Sequence, residues 1–572
     1  MTSSDATTRA TRWATAAILI AAYAIYTAMC AYGVIYGRTW IDEITYVIKS
    51  WWYVTGAEKP YSDADATWYM PLYFYQLGWA QEIFGRGHIT GRVMSAILGA
   101  GAGGLVFVIC RRMALAAPVA ALGTALFLLT PTTAYYFTTA TPIATVAFLL
   151  LLAVYLVQRA SEAQPLALSL GLGVLFGVLY FYRQNMILAL VVLGPLYLWH
   201  IGKRWPWHAV LVLLGMALVA VPILTVFPAK LALYAIRLPL VTPVLHRIGL
   251  LPDTLRLIQE ATESRYTLDI NLAGLSWRDP LNAFLLPFLG TNLLALAVFA
   301  LYRSERLLML VPAFYFFLAA AHYLGSAGYC PACILTYTSY FIGIGALAAA
   351  LAIDALLRAR GPLIPAALGI AALAFNALGP ALAAKDAAGA PSLWRNFPLP
   401  LLQPNNGQPD IVETERLAGF VGMAVPAARR VLVLDDQPQL AYAVARSGRT
   451  LPVQGFNLRQ SYRRLRANLS EAEKAEVTRI LEAESLWTDA TLVSWLGDPA
   501  IGAVMLQPNA VTLSPEARQR LDKKFRLSAN IVVLGRTVGI YLPAPPAVIS
   551  DPEATPPPGA GAAVPTPPSG SP

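Results

Sequence analysis

The stretch that decides the fold is ATAAILIAAYAIYTAMCAYGVIYGRTWIDEITY, residues 14–46. Its first part belongs to an apolar run over 13–35, which is long enough to cross the roughly 30 Å hydrocarbon core of a membrane as a helix. Arg9 and Arg12 precede this run, as in a signal peptide. Because the run exceeds the about 7–15 apolar residues of a cleaved signal, we predict an uncleaved signal anchor.

The composition of the whole chain agrees with a membrane protein. Of 572 residues, 57% are hydrophobic and only 13% are charged, and the mean hydropathy is +0.55. A soluble domain carries about 25% charged residues. Four cysteines do not make a disulfide scaffold. The net charge of +10 comes from basic residues scattered between apolar runs, which predicts membrane lipids and no nucleic acid as partners.

Further apolar runs of sufficient length follow the first one. They predict a polytopic α-helical membrane protein with about eleven transmembrane helices. The runs are 13–35, 93–110, 113–130, 141–157, 166–181, 186–201, 208–226, 281–301, 307–323, 334–357 and 361–383.

The short connections between these runs predict the orientation. With a cytoplasmic N-terminus, every short cytoplasmic connection is basic, as the positive-inside rule requires. The basic residues are Arg111–Arg112, Arg159, Lys203–Arg204, Arg303 with Arg306, and Arg358 with Arg360. The opposite-side connection 131–140 has no charge. This topology places 36–92, 227–280 and everything after about 384 outside the cytoplasm.

The chain after 384 changes character. We predict a membrane module over 1–383, an extracytoplasmic α/β domain over 384–545, and a disordered tail over 546–572 that is rich in Pro, Ala and Gly. Predicted elements of the α/β domain are a strand 431–434, a helical stretch 459–485, an apolar run 502–506, a helix 513–525 and a hairpin 531–542.

The first external loop, 36–92, carries the strongest chemical signal. If a helix begins at its acidic pair, Asp42-Glu43, then Asp42, Tyr46, Lys49 and Tyr53 share one face while apolar residues cover much of the rest. Such a helix is suited to lie in the membrane interface. The alternative is that Asp42 only caps the helix.

The rest of this loop is unusually aromatic. The segment YSDADATWYMPLY, 61–73, contains Asp63, Asp65, Trp68 and Tyr73. Ring faces flanked by carboxylates suit a sugar, whose C–H faces stack while its hydroxyl groups form hydrogen bonds. The alternative is that Trp and Tyr only anchor the loop at the interface.

The order of these motifs resembles a known family. A first span, Asp42-Glu43 at the start of a juxtamembrane helix, Pro71-Leu72-Tyr73, Phe84-Gly85 and Arg92-x-x-Ser95 together resemble the GT-C fold of membrane glycosyltransferases. The similarity is greatest to the protein mannosyltransferase, aminoarabinose transferase and arabinofuranosyltransferase relatives. It covers the topology of 1–383 and implies a polyprenyl-phosphate-linked sugar as donor.

The resemblance implies roles for particular residues. Asp42 would be the general base, with Glu43 as the alternative. Arg183 and Gln184 are similar to a basic-Gln pair of these enzymes and would bind the donor phosphate. The alternative for Arg183 is snorkelling to the headgroups. Possible sugar or acceptor contacts are Asp63, Asp65, Tyr46, Trp68, Tyr73 and His322, the last from a loop that borders the donor site in relatives.

The sequence departs from the family at one position. Many relatives carry a second acidic residue at the start of the span after the second external loop, where this chain reads Thr139-Ala140-Thr141-Pro142. Asp63 or Asp65 could substitute for it. We predict no metal site and no certain cofactor, although a divalent cation remains possible. The mixed-charge loop 227–280 is typical of a solvated segment.

The predicted function is therefore an inverting glycosyltransferase, hexosyl or pentosyl, of the plasma (inner) membrane. It would move a sugar from a polyprenyl-phosphate donor to a hydroxyl of a glycan, lipid or protein acceptor on the extracytoplasmic face. The alternatives are a lipid or glycan flippase or transporter, a polymerase or ligase that uses diphosphate-linked glycans, and a non-catalytic scaffold. No duplicated halves with broken helices, typical of many transporters, are visible in the sequence.

Overall fold

The structure is a computed structural model of the full chain. It describes residues 3–37, 41–56, 71–163, 166–226, 281–302, 305, 307–326, 333–383, 411–434, 438–449, 470–483, 489–508, 513–533 and 536–544. The predicted loop 227–280, the tail 546–572, and Asp63, Asp65 and Trp68 lie outside these residues.

The first two thirds of the described chain is helical. The helices are α1 (Ser3–Tyr36), α2 (Ile41–Val54), α3 (Pro71–Phe84), α4 (His88–Arg112), α5 (Ala117–Leu129), α6 (Pro131–Tyr136), α7 (Ile143–Ala163), α8 (Leu166–Tyr182), α9 (Ile187–Ile201), α10 (Trp205–Val226), α11 (Leu289–Leu301), α12 (Leu310–Ser326), α13 (Cys333–Arg360) and α14 (Leu363–Ala383). Short 3-10 turns, Gln184–Met186 and Gly202–Arg204, flank α9, and a π-helix, Leu281–Leu285, precedes α11.

Each predicted apolar run coincides with one of these helices. By length and composition alone, four helical stretches of the described chain are able to cross a membrane: Arg9–Tyr36, His88–Arg112, Gln184–Ile223 and Thr336–Arg360. The apolar window of the last stretch is 83% buried, whereas that of Gln184–Ile223 is only 17% buried. Thr336–Arg360 is therefore central in the bundle, and Gln184–Ile223 presents its apolar side chains outward, as a lipid-facing helix does. The total of eleven spans stays a prediction.

The described part of the C-terminal region contains a small α/β unit. Its sheet has the order β1 (Arg430–Leu434), β2 (Ile501–Leu506), β4 (Arg536–Pro543), β3 (Phe525–Val533). The pair β1–β2 is parallel and the other two pairs are antiparallel. The helices are α15 (Ile411–Ala424), α16 (Pro438–Arg446), α17 (Glu471–Ala483), α18 (Asp489–Gly497) and α19 (Pro515–Lys524).

The two faces of this sheet pack against different partners. Side chains alternate between the faces of a strand. Leu432 and Leu434 of β1 pack with α18 and α19 on one face. Val431 of β1 packs with α15 and α16 on the other face, and that apolar cluster continues into α2 and α3. The sheet is therefore coupled, through α15 and α16, to the first helices of the chain.

Helix α2 is enclosed rather than lying open at an interface. Ile44, Val47 and Ile48 are each at most 1% exposed, within the same apolar cluster as α3 and α16. Lys49 and Tyr53, predicted to share the face of Asp42, are also buried. The amphipathic sequence fits this position because the C-terminal unit covers α2 where water or headgroups would otherwise lie.

A glycine permits the close packing of α2 and α3. A Cβ atom at Gly78 of α3 would overlap the backbone carbonyl of Ser50 and lie 2.6 Å from Cγ1 of Val54. Real Cβ contacts are longer, so the two helices would have to separate. Gln81 of α3 reinforces the contact, because its Nε2 donates to the carbonyl of Val47 at 3.0 Å and to Oγ of Ser50 at 2.8 Å.

We expect Gly78→Ala to lower the melting temperature of the purified protein, because overpacking a tight contact costs about 1–3 kcal/mol. The measurement is thermal unfolding in detergent. The control is Gly171→Ala in α8, where a Cβ would meet nothing within 4 Å and where alanine is the better helix former. Equal melting temperatures for the two variants would contradict the close α2–α3 contact.

Candidate functional site

A buried ion pair anchors the N-terminal end of α2. Nε of Arg92, on α4, donates to Oε1 of Glu43 at 2.7 Å, and Nη2 donates to Oε2 at 2.8 Å. Both side chains are completely buried. The backbone N–H of Ala140 donates to the same Oε1 at 2.8 Å. Two-point contact between a guanidinium and a carboxylate is the strong geometry for this pair.

The remaining donors of Arg92 bind the end of α1. Its Nη1 donates to the carbonyl oxygens of Gly33 and Val34 at 3.2 Å and of Gly37 at 2.8 Å. The pair thereby joins α1, α2, α4 and the turn before α7. Gly91 permits this convergence, because a Cβ there would lie 2.5 Å from Cβ of Ala140.

The environment of Glu43 keeps it ionised. Burial alone raises the pKa of a carboxyl group, but the charge and hydrogen bonds of Arg92 and the Ala140 N–H outweigh it, so the pKa of Glu43 lies below its ordinary value. A depressed carboxyl pKa stabilises the fold above the unfolded-state pKa and loses that contribution as the pH falls through the folded-state pKa. The pair is therefore fully formed near neutral pH.

The two consecutive acids have different surroundings. Glu43 is inaccessible, whereas Asp42 is exposed. Successive residues of an α-helix point about 100° apart, so fixing Glu43 inward turns Asp42 away from the ion pair. In this arrangement the carboxylate that a substrate is able to reach is that of Asp42.

Asp42 shares its surroundings with Arg183 and Tyr46. Burial raises the pKa of Tyr46, the charge of Asp42 raises it further, and the charge of Arg183 lowers it. Burial lowers the pKa of Arg183, but Tyr340, Tyr337, Tyr46 and Asp42 together raise it above the ordinary value. Because a charge interaction weakens with distance, these shared effects place Asp42, Tyr46 and Arg183 in one neighbourhood. The structure thus brings together Asp42 from α2 and Arg183 from the α8–α9 connection, two residues predicted from sequence.

Two tyrosines that the sequence did not single out hold the guanidinium of Arg183. It lies over the rings of Tyr337 and Tyr340 of α13, with its carbon 5.6 and 5.9 Å from the ring centroids. The rings themselves are stacked, 6.0 Å apart. Cation–π contact fixes the cation without neutralising its charge, so Arg183 keeps the capacity to bind an anion.

Gln184 and His322 lie beside this group. The amide nitrogen of Gln184 is buried and has no hydrogen-bond partner among the described residues. His322 of α12 is buried, and its Nδ1 lies 2.7 Å from the carbonyl oxygen of Leu318. Its ring centroid is 5.6 Å from that of Tyr337. The structure therefore places His322 near the predicted phosphate contacts.

The predicted aromatic contacts divide into two kinds. Tyr46 is 6% exposed and borders the Asp42–Arg183 group, whereas Tyr73 is completely buried between Tyr46 and Phe74, with centroids 5.8 and 6.4 Å away. The position of Tyr73 is that of a core residue that supports Tyr46 from behind.

The C-terminal unit reaches the ion pair through one helix. The ring of Tyr442, on α16, lies 4.7 Å from the ring of His88, which begins α4 one turn before Arg92. The hydroxyl of Tyr442 donates to Glu415 at 3.1 Å, and Arg446 binds the same carboxylate. Burial raises the pKa of Tyr442, and the charge of Glu415 raises it further, so its hydroxyl stays protonated. Helix α16, which covers α2, is thus held to α15 by polar as well as apolar contacts.

The sequence contained only partial signals for the roles of Arg92, Tyr337 and Tyr340. Arg92 belonged to the predicted Arg-x-x-Ser motif, and an arginine at the boundary of an apolar run is costly unless it has a partner. Its pairing with Glu43 was not predicted. Tyr337 and Tyr340 stand in an apolar run where aromatic residues are ordinary, and nothing local distinguishes them. In the part of the chain that the structure describes, no group of three His, Cys, Asp or Glu residues has the spacing to hold a metal ion.

Solved structures with the same architecture identify the fold. ArnT from Cupriavidus metallidurans bound to undecaprenyl phosphate matches with a TM-score of 0.54 at 14% identity, covering 91% of this chain and 97% of that chain. The apo state of the same protein matches with a TM-score of 0.54 at 15% identity, over 93% and 98%. The apo oligosaccharyltransferase of Archaeoglobus fulgidus is more distant, with a TM-score of 0.45 at 13% identity, over 86% and 69%. The chain has the GT-C fold, as the sequence predicted.

A family comparison agrees with this fold over part of the chain. Residues 65–245 match the sequence model of the family described as dolichyl-phosphate-mannose-protein mannosyltransferase. No curated protein sequence matches the chain. The family match and the fold together confirm the predicted resemblance: residues 65–245 resemble a mannosyltransferase family, and the chain has the fold of the GT-C membrane glycosyltransferases.

We expect Arg92→Met and Glu43→Gln each to destabilise the protein strongly, because breaking a buried pair leaves one polar partner without the other and costs about 3–5 kcal/mol. The double variant should lose less than the sum of the two. The measurement is a double-mutant cycle by thermal or denaturant unfolding.

The control for this cycle is the exposed pair of Glu82 and Arg86 on α3, whose side chains are 31% and 42% exposed. Removal of an exposed pair changes stability by about 0–1 kcal/mol. Additive losses at Glu43 and Arg92 would show that the two side chains do not act as a pair.

Proposed function

We propose that this protein transfers a sugar from a polyprenyl-phosphate donor to an acceptor hydroxyl on the extracytoplasmic face of the plasma (inner) membrane. The observation that carries the proposal is the placement of an exposed carboxylate, Asp42, beside a guanidinium that aromatic rings hold in place, Arg183. A base for the acceptor and a cation for a phosphate are the two groups that this reaction needs.

The cationic side of the site would bind the donor phosphate. Arg183 supplies several N–H donors in a fork that matches phosphate oxygens. The amide nitrogen of Gln184, buried without a partner among the described residues, is a second donor at the same place. An unsatisfied buried donor is costly, so a ligand that accepts its hydrogen bond gains affinity. The solved relative bound to undecaprenyl phosphate supports a donor lipid of this chemistry.

The acidic side would activate the acceptor. As the acceptor oxygen forms its bond to the anomeric carbon, Asp42 takes the hydroxyl proton. The bond between the anomeric carbon and the phosphate oxygen breaks, and its electron pair leaves with the lipid phosphate. Arg183 and Gln184 stabilise the charge that develops on that phosphate. Attack opposite to the leaving group inverts the anomeric configuration.

Glu43 has a different role in this proposal. Its carboxylate is saturated by Arg92 and Ala140 and is out of contact with solvent. It would position α2, while Asp42 acts as the base. Asp63, Asp65 and Trp68 stay candidates for sugar or acceptor contact, and His322 for the donor side.

The directions of the helices support the proposed orientation. Helix α9 begins beside Arg183 and leads to Lys203 and Arg204, and α13 begins near Tyr337 and ends at Arg360. The basic residues therefore lie at the ends remote from the site. Because positive charge favours the cytoplasmic side, the site would face away from the cytoplasm. The proposal covers a hexose or a pentose as the sugar and a glycan, lipid or protein as the acceptor.

We expect Asp42→Asn to reduce sugar transfer about 10²–10⁴-fold, since the amide cannot accept the acceptor proton. The assay is transfer from a labelled polyprenyl-phosphate sugar by the purified protein, with the melting temperature recorded in parallel. Glu82→Gln, an exposed acid on α3, is the control and should retain wild-type turnover. Wild-type turnover in Asp42→Asn with an unchanged melting temperature would remove Asp42 from the role of base.

We expect Arg183→Met to weaken binding of undecaprenyl phosphate about 10–100-fold, because hydrogen bonds to charged groups contribute about 1.5–3 kcal/mol. Arg183→Lys should recover part of the affinity, since it keeps the charge and loses the planar fork. Binding is measured without a sugar, so the result does not depend on turnover. Arg86→Gln, a cation stacked on Trp51 of α2, is the control. Equal affinities for all four proteins would place the phosphate elsewhere.

A further inference from the structure

A cavity lies far from the candidate site. It has a volume of about 510 Å³ and is bounded by the end of α4 and by α7, α9, α12 and α13. Helix α4 begins at His88, one turn before the buried ion pair, and ends at Arg112, which lines the cavity. The 20 residues from Arg92 to Arg112, at 1.5 Å each, separate the two places by about 30 Å. The cavity is therefore at the opposite end of the bundle.

The interior of the cavity is apolar. Buried apolar side chains line it, among them Val157, Leu193 and Leu347. On α12 and the turn before it, Leu307 and Phe317 line the cavity and are 58% and 43% exposed. The cavity thus opens sideways between helices, onto the surface where apolar side chains meet lipid.

One end of the cavity is polar and cationic. Arg112, Gln158 and His200 line it there, each near the end of its own helix. The guanidinium of Arg112 lies over the ring of Tyr155, 5.5 Å from the centroid. Lys203 and Arg204 follow His200 in the chain. An apolar interior with cationic side chains at the level of the membrane surface matches a lipid with an anionic headgroup.

We propose that this cavity binds an anionic glycerophospholipid, with an acyl chain in the apolar interior and the phosphate at Arg112. Its volume is within the roughly 300–1,000 Å³ of ligand pockets. Water gains little in an apolar cavity, whereas a chain from the adjacent bilayer fills it without dehydrating any polar group. The lipid is distinct from the donor because the cavity is at the other surface.

The test is native mass spectrometry of the delipidated full-length protein with phosphatidylglycerol or phosphatidylcholine of identical chains. We expect the wild type to retain one phosphatidylglycerol in preference to phosphatidylcholine, and Arg112→Gln to reduce that preference about fivefold or more. Ala313→Trp, at an exposed position that lines the cavity, should reduce retention of both lipids. Arg360→Gln, an exposed cation at the end of α13 that does not line the cavity, is the matched control.

Equal retention of the two phospholipids by the wild type would overturn the proposal, as would identical behaviour of Arg112→Gln and Arg360→Gln. Displacement of phosphatidylglycerol by undecaprenyl phosphate at an Arg112-dependent site would instead assign the cavity to the polyprenyl lipid and would also overturn it. Because retention is measured without sugar transfer, the result is independent of the proposed reaction.

Discussion

The buried pair of Glu43 and Arg92 is the interaction on which the candidate site depends. It joins the end of α1, the start of α2, the first turns of α4 and the turn before α7, of which only the first two are neighbours in sequence. A buried ion pair is not in itself a large source of stability. Its effect here is to fix the relative positions of the four segments. The carboxylate and guanidinium atoms of the pair form hydrogen bonds to all four, and few other arrangements of the segments would satisfy those atoms.

This constraint decides where the side chain of the neighbouring acid, Asp42, points. With Glu43 fixed inward, helical geometry turns Asp42 toward Arg183 and Tyr46. The C-terminal unit completes the enclosure, since α16 covers the other side of α2 and Tyr442 meets His88. A carboxylate that stays exposed on a helix held from three directions is fixed in position and remains accessible. Positioning of this kind is what general-base catalysis requires.

Much of the fold could be predicted because its signals are local. An apolar run of about twenty residues has few alternatives to a helix when no water is available for its backbone, and each of the eleven predicted runs is helical. The strand at 431–434 was predicted within one residue, and the hairpin at 531–542 was predicted although its first strand begins six residues earlier, since alternation and turn residues act over short distances. The enclosure of α2 was not predicted, because it depends on α16, almost 400 residues later in the chain.

The sequence by itself determined that the protein is embedded in a membrane and that an acidic pair follows its first helix directly. It also marked Arg183 and Gln184 as polar groups at the edge of an apolar run. Only the tertiary structure decided which of the two acids is exposed and which is committed to Arg92. The physical reason is that two adjacent carboxylates are equivalent in sequence, whereas burial, a guanidinium 49 residues away and the N–H of Ala140 distinguish them in space.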